Sequence, residues 1–342
     1  MNKYNVAIMG ATGAVGQVMM EILAEREFPL GELRLLASAR SAGRELVYRG
    51  NTIAVQELKE DSFKGIDIVL ASAGGGLSKE FNSHAVAAGA VVVDNTSAFR
   101  MDPQVPLVVP EINAHDLDAH RGIIANPNCS TIIMDVVVWP LYQRRRVKRI
   151  VVSTYQAVSG AGARAMEELE QQTRQVLAGE EAEAAEFPHQ IAFNLFSHNS
   201  DIGPEGYCEE EIKMIRETHK MFHDSEVQVT ATTIRVPVMR AHSEAINLEF
   251  TEPFPAAEAR EILAQAPGVL LVDEPEQSQF PMPIEASGRD EILVGRIRQD
   301  ISRSDGTGLD LWVSGDQLRK GAALNAVQIA EELIARSLLR AL

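Results

Sequence analysis

Val6-Ala7-Ile8-Met9-Gly10-Ala11-Thr12-Gly13-Ala14-Val15-Gly16 joins a short apolar run directly to a glycine-spaced turn, and Gln17 to Arg26 continues it in a helical pattern. Strand, glycine turn and helix in that order form the context of a dinucleotide-binding turn. Glycine permits the tight bend and lets the backbone approach a pyrophosphate, whose charge is favoured by free amides at a helix N-terminus. The spacing is G-x-x-G-x-x-G rather than G-x-G-x-x-G, so the position of Gly10, Gly13 and Gly16 beside a first strand carries the reading more than the glycines alone.

Working outward, strand-like runs follow at Leu33 to Leu36, Ile66 to Ala71, Ala90 to Val93, Leu107 to Val109 and Ile123-Ile124. Their alternation with helical segments predicts a parallel sheet with right-handed crossovers. The second strand ends Ala37-Ser38-Ala39-Arg40-Ser41. An NAD-specific fold places an acidic side chain there for the ribose. Glu32 precedes the strand and falls at the wrong edge of the sheet, whereas Arg40 flanked by hydroxyls suits a 2′-phosphate, so NADP is the expected cofactor.

From about residue 147 the rhythm changes. Val147 to Ala157, Val227 to Pro237 and Ile246 to Phe250 read as long strands, separated by an acidic helical insertion that Gly160-Ala161-Gly162 opens and the charged stretch Gly179 to Glu186 closes as solvated surface. Ala322 to Leu339 carries an apolar helical stripe that can return to the first domain. The fold class expected is α/β, a Rossmann-type dinucleotide-binding domain with a second, mixed α+β domain for catalysis and dimerisation. The expected boundaries are 1–127 joined by the C-terminal helix 322–342, and 128–321.

Composition narrows the partners. At 342 residues and 45% hydrophobic content the chain is long enough for two cores. A formal net charge of -16 disfavours nucleic acid and anionic membranes and leaves a small molecule. The basic run Gln143 to Arg149 is read as a solvated helix end. Met1 to Tyr4 lead straight into an apolar strand pattern, no run approaches ~18 apolar residues, and a soluble, cytoplasmic protein is expected. Two cysteines, Cys129 and Cys208, exclude a disulfide framework and a Cys-rich zinc site; no metal is expected.

Asn126-Pro127-Asn128-Cys129-Ser130-Thr131 stands where the first domain ends and the apolar segment Ile132 to Leu141 begins a helix. A thiol at a helix N-terminus has its thiolate stabilised by the dipole and by free amides, which can also receive an oxyanion. Read alone, a single cysteine is more often a small buried apolar side chain. Among eight histidines, His242 closes Arg235-Val236-Pro237-Val238-Met239-Arg240-Ala241-His242, a strand followed by a short polar turn, and an imidazole there can take and return a proton near neutrality. Cys208 lies in a polar Tyr207-Cys208-Glu209 context and is expected to be silent.

Gly10 to Gly16, Ser38 to Ser41, Asn95 to Arg100, Asn126 to Thr131, Tyr155 to Gly162, Arg235 to His242 and Gly315 to Asn325 together resemble aspartate-β-semialdehyde dehydrogenase of the bacterial type, over essentially the whole chain. The resemblance implies Cys129 as the acyl-carrying nucleophile, His242 as acid/base and Gln156 as the group that orients the substrate at the sulfur. Arg235 would grip the substrate α-carboxylate, which suits a guanidinium fork, and Glu210 would receive the α-ammonium. Arg100 and Lys213 would hold phosphate. Gly10, Thr12, Gly13, Ala14, Val15, Gly16, Ser38, Arg40, Ser41, Ser159, Gly160 and Gln317 are the expected cofactor contacts, with Asn325 a weaker candidate.

The activity so implied is reversible, NADP-dependent reductive dephosphorylation of L-aspartyl 4-phosphate to L-aspartate 4-semialdehyde through a cysteine thioester, in lysine, threonine and methionine synthesis, by a homodimer. N-acetyl-γ-glutamyl-phosphate reductase shares the chemistry but needs no partner for a free ammonium, so the acidic run Glu209-Glu210-Glu211 favours the aspartyl substrate. Glyceraldehyde-3-phosphate dehydrogenase would leave Arg235 without a carboxylate. A catalytically silent NADP-binding regulatory protein is the reading from another class, and the joint presence of Cys129, Gln156, Arg235 and His242 argues against it.

Overall fold

The computed structural model describes residues 2–339 and divides into two compact units. The first takes in the chain up to Asn128 and the segment from Ala322 onward. Its elements are β1 (Tyr4–Met9), α1 (Ala14–Glu25), β2 (Leu30–Ala37), the hairpin β3 (Glu45–Tyr48) and β4 (Asn51–Ala54), β5 (Gln56–Glu57), β6 (Ile68–Ala71), α2 (Gly75–Ala87), β7 (Val91–Asp94), α3 (Pro110–Asn113) and β8 (Ile123–Ala125). Six strands form a parallel sheet in the order β5-β2-β1-β6-β7-β8. Chain order reverses between β1 and β6, so the turn after β1 stands at the switch point where open α/β sheets bind ligands. Residues Val6 to Met9, Ile68 to Ala71 and Val91 to Val93 are fully buried, which is why these strands read as unbroken apolar runs rather than alternating ones.

Leu107 to Val109 do not form the expected strand. Leu107 makes a single bridge to Ala125, and the chain then enters α3 through Pro110. The Asn113 side chain takes the backbone groups that a strand would have paired, accepting from Val109 N at 3.0 Å and donating to Leu107 O at 2.8 Å. The final helix is also shorter than expected, Leu324–Ala335 after a π-helical turn at Arg319–Ala323. It packs on α1, α3, β6 and β7, and residues 340–342 of the anticipated segment lie outside the described residues.

The second unit runs from Cys129 to Gly321. It contains α4 (Cys129–Arg144), β9 (Val147–Gln156), α5 (Ala163–Ala178), β10 (Phe196–Ser197), α6 (Glu209–Phe222), β11 (Gln228–Arg235), β12 (His242–Phe250), α7 (Ala256–Leu263), β13 (Val269–Leu271), α8 (Pro283–Ala286), β14 (Ile292–Gln299) and β15 (Gly308–Gly315). A mixed sheet orders its strands β10-β11-β9-β12-β15-β14-β13. On β9 and β12, Ile150, Val152, Ile246 and Leu248 are buried, and α4 packs on these strands. Alternating with them, Val151, Ser153, Tyr155, Ala245 and Asn247 remain half-exposed.

Strands β14 and β15 lie outside those the pattern predicted. The ladder between them shifts register between Gly295 and Arg298, Arg296 takes a positive φ of 52°, and a Cβ on Gly295 would fall 2.0 Å from Val272 O. A bulge of this kind breaks the period of two on which strand recognition rests. The basic run before β9 is matched within the unit: Arg144 and Arg145 pair with Glu258, Arg146 with Asp224 and Lys148 with Glu249. No described helix is long and apolar enough to cross a membrane.

Candidate active site

In the first unit the turn after β1 is built as its glycines require. Gly10 has φ 93° and a Cβ there would lie 2.5 Å from Ser72 O; one on Gly16 would lie 2.4 Å from Gly10 O. The amides of Gly10 and Ala11 donate to Leu36 O at the end of β2, at 2.8 and 3.2 Å. This ties the turn to the strand end that leads into Ser38, Arg40 and Ser41. Gly13 caps α1 with no side chain on the helix amides and no acidic residue in the first turn, which suits an anion. Thr12, Ala14 and Val15 complete the turn. Ser38 and Arg40 are exposed, while Glu32, expected before the strand, lies within β2 near its other end and pairs with Arg34. These residues fit a nicotinamide dinucleotide.

Arg100 is buried in the same unit, its guanidinium donating to Asn126 O at 2.9 Å and Asn95 O at 2.8 Å. Asn325 is fully buried and donates to Val108 O and Asn126 Oδ1. Its amide ties the final helix to the loop before α3, a packing role.

In the second unit, strand register brings the remaining residues together. Parallel pairing of β9 with β11 sets Arg235 opposite Gln156, and antiparallel pairing of β12 with β9 and β15 brings His242 to the same sheet end, opposite Gly315. Cys129 is the first residue of α4, and α4 has no acidic residue in its first turn. A Cβ on Gly321 would meet the Cys129 Cβ at 2.9 Å, so only glycine leaves the thiol this backbone neighbour. Gln156 donates to Ser130 Oγ at 2.7 Å and to Glu210 Oε1 at 3.2 Å, while its own Oε1 is buried without a partner.

Arg235 is 3% exposed. Its Nη1 donates to Ala157 O at 2.8 Å, its Nη2 lies 3.0 Å from His198 Nε2, and its Nε is buried with no partner. Burial lowers its pKa, an effect that Cys129 and Glu210 oppose electrostatically. A buried guanidinium with an unfilled donor beside a thiol is a site for an anion. The Phe187 ring lies under it, 5.6 Å from the guanidinium carbon. Lys213 pairs with Glu209 and Glu210 at 3.2 and 3.5 Å.

His242 follows the bent connection at 236–241 that leaves β11, opens β12 and is 1% exposed. Its Nδ1 accepts from Ala157 N at 3.0 Å. Because that amide can only donate, the single hydrogen of the neutral ring resides on Nε2. Burial above all, with Arg235 and then His198, pushes the His242 pKa down to about 3, against Glu210. The imidazole is therefore neutral at physiological pH and offers an N–H. Ala241 before it has φ 71°, its amide donating to Gln317 Oε1 at 2.9 Å, and Gln317 in turn bonds Ser159 Oγ. A Cβ on Gly160 would lie 3.1 Å from His242 Nε2 and 3.4 Å from Arg235 Nη1. The bare glycine thus leaves open the space those two groups face.

The acidic insertion is more than solvated surface. Gln172 of α5 accepts from Ile191 N and Ala192 N at 2.8 and 3.2 Å, and Glu168 accepts from Ala185 N and Glu186 N. These bonds seat Phe187 and Ile191 in a small core with Val158 and Leu169. Phe187 and His198 are residues of this region that sequence reasoning missed, since each gains its position from pairing or packing distant in the chain, whereas Ser130 stands beside Cys129 at the head of α4 and was passed over for the thiol. Cys208 is buried and caps α6, with Glu211 closing the reciprocal bond at 2.8 Å to Cys208 N, a structural task.

Residues 5–120 match the model of the semialdehyde dehydrogenase NAD binding domain, and residues 138–320 that of the semialdehyde dehydrogenase dimerisation domain. Aspartate-semialdehyde dehydrogenase of Synechocystis sp. is 58% identical over 97% of each chain. The Bacillus subtilis enzyme of the same name is 47% identical over 96% of this chain and 97% of its own. The crystal structure of aspartate semialdehyde dehydrogenase II from Vibrio cholerae, described as complexed with ASA, superposes with a TM-score of 0.95 at 46% identity, covering 98% of this chain and 99% of that one.

Proposed function

The chain belongs to the aspartate-semialdehyde dehydrogenase family of oxidoreductases, and on that premise we propose that it reduces L-aspartyl 4-phosphate to L-aspartate 4-semialdehyde, reversibly, with NADP and through a thioester on Cys129. The observation that carries the reading is Arg235, buried with an unfilled Nε beside Glu210 and Cys129. One buried cation and one buried anion together accept the carboxylate and ammonium of an amino acid and leave its side-chain carbonyl to the thiol.

Cys129 Sγ attacks the acyl carbon, the carbon–oxygen bond to phosphate breaks, and a thioester forms, oriented by Gln156. Arg100 and Lys213 are assigned to the phosphate. The glycine turn from Gly10 to Gly16, with Ser38, Arg40 and Ser41, would hold the cofactor, Arg40 taking the 2′-phosphate; Ser159, Gly160 and Gln317 are assigned to its nicotinamide end. When bound and reduced, the cofactor supplies hydride to the thioester carbon. The resulting alkoxide needs a donor, and His242 offers Nε2–H to it. Collapse then breaks the carbon–sulfur bond, releasing the aldehyde and the Cys129 thiolate without a net proton transfer. Such an activity belongs to the synthesis of lysine, threonine and methionine.

A homodimer is part of the proposal. The half-exposed side chains Val151, Ser153, Tyr155, Ala245 and Asn247, with the exposed Thr232, line one sheet face of the unit matched by the dimerisation model. The function is tested by following NADPH formation from semialdehyde, phosphate and NADP. Activity lost in Cys129→Ser with NADP binding retained supports the covalent route, and substantial turnover by that variant refutes it.

A further inference from the structure

We infer that His198 is a positioning residue for substrate recognition: its neutral imidazole holds the Arg235 guanidinium in place and, through Ser200, ties that grip to Glu210. The inference deepens the proposed function and rests on Arg235 binding the substrate carboxylate.

The placement follows from a two-residue strand. β10 pairs antiparallel with the end of β11, Phe196 opposite Arg235 and Ser197 opposite Ile234, and His198 N continues the ladder to Thr233 O at 2.9 Å. With a period of two, residues 196 and 198 share a face with Thr233 and Arg235. His198 Nε2 comes within 3.0 Å of Arg235 Nη2, and Nδ1 lies 3.1 Å from Ser200 Oγ. Guanidinium nitrogens have no acceptor capacity, so Nε2 must be the acceptor and the ring hydrogen must sit on Nδ1, directed at Ser200 Oγ. The Ser200 amide, 3.2 Å from the same Nδ1, would favour the other tautomer, but that form turns an N–H against a fixed cation. Ser200 Oγ also accepts from Glu210 N at 3.2 Å. One chain of hydrogen bonds therefore runs from Arg235 through His198 and Ser200 to Glu210.

Three groups hold the fork. Ala157 O takes Nη1, Phe187 lies under the plane and His198 takes Nη2, while Nε faces no protein acceptor. Of these, only His198 changes its hydrogen-bonding sense with a proton. Protonated, it would present an N–H to Arg235 and add a like charge. Burial lowers its pKa, with Arg235 and Lys213 adding and Glu210 and Glu211 opposing, so the acceptor form persists at neutral pH.

The test compares His198→Leu and His198→Gln with wild type, using L-aspartate semialdehyde and an analogue lacking the α-carboxylate. Gln keeps an acceptor for Arg235; Leu does not. For the Leu variant, KM for the natural substrate should rise about tenfold or more, with kcat and the analogue's kinetics little changed, and Gln should restore most of the loss. On the acid side of the imidazole range the wild-type KM should rise and the Gln variant's should not. Equal effects of Leu and Gln, or an unchanged KM in Leu, overturn the inference while leaving the Arg235 assignment standing. If wild type itself fails to prefer the substrate with the carboxylate, the proposed function has failed, and the inference with it. A thermal melt of each variant identifies a loss that comes from unfolding, because such a loss affects both substrates alike.

Discussion

Ala157 and His242 are joined by a hydrogen bond in which the backbone amide donates to Nδ1 at 3.0 Å. That bond, with burial, assigns the histidine a neutral, N–H-donating state rather than a titrating one. Replacing it by Ala should lower kcat on the order of a hundredfold, with Gln, which keeps a donor, falling less. Between about pH 5.5 and 8 the profile of kcat should show no limb that vanishes in the variants. Such a limb would make His242 a general acid or base instead.

The same depressed pKa carries a stability consequence. The unfolded histidine binds its proton near pH 6.5 and the folded one only near about 3, so the unfolded state gains protons first and stability falls as pH drops through that window. At pH 5 the loss is about 2 kcal/mol. Thermal midpoints measured from pH 7 to 5 should fall more steeply for wild type than for His242→Gln. Parallel slopes would contradict this.

Arg235→Lys should impair the enzyme although charge is conserved. An ammonium cannot hold Ala157 O, His198 Nε2 and a carboxylate together in one plane, and a shift of ~1 Å costs on the order of a hundredfold in rate. The expected kinetic sign is loss of the preference for a substrate bearing the α-carboxylate. An equal slowing of carboxylate-bearing and carboxylate-free substrates would mark Arg235 as structural.

Arg40→Asp should weaken NADP far more than NAD, by roughly tenfold to more than a hundredfold, the worth of a charge-assisted contact. Titration of each cofactor against cofactor-free protein measures it. Equal weakening would remove the 2′-phosphate assignment.

Glu244 is fully buried two residues beyond His242, and both its carboxylate oxygens lack a hydrogen-bond partner. Burial first, and the neighbouring Asp135 second, raise its pKa well above the ordinary value. A raised carboxyl pKa costs stability as pH climbs past the unfolded value near 4.5. Glu244→Gln should therefore stabilise the protein at pH 8 by about 1 kcal/mol or more, and the gain should shrink toward pH 4.5. A gain independent of pH would show that charge is not the cause.

Local patterns made much of the molecule legible. The run from Val6 to Gly16 specified strand, turn and helix because an apolar period and the steric demands of Gly10 and Gly16 act between neighbours. Cys129 at the head of α4 was legible for the same reason, since a helix start is a local event. Where a local rule was broken the reading failed. The bulge at Gly295 hid β14, and the side chain of Asn113 took Val109 N and Leu107 O, leaving that run with a single bridge to Ala125.

The sequence by itself thus determined the parallel sheet with its cofactor turn, the mixed second unit, and the chemical types of the candidate site groups. Only the tertiary structure decided which of those groups meet and in what protonation state. Gln156, Arg235 and His242 come to one sheet end through ladder register between strands far apart in the chain. His198 reaches Arg235 through a two-residue strand too short to carry a pattern. The neutral His242 and the raised Glu244 both arise from desolvation, which depends on everything packed around a group rather than on the residues beside it in sequence.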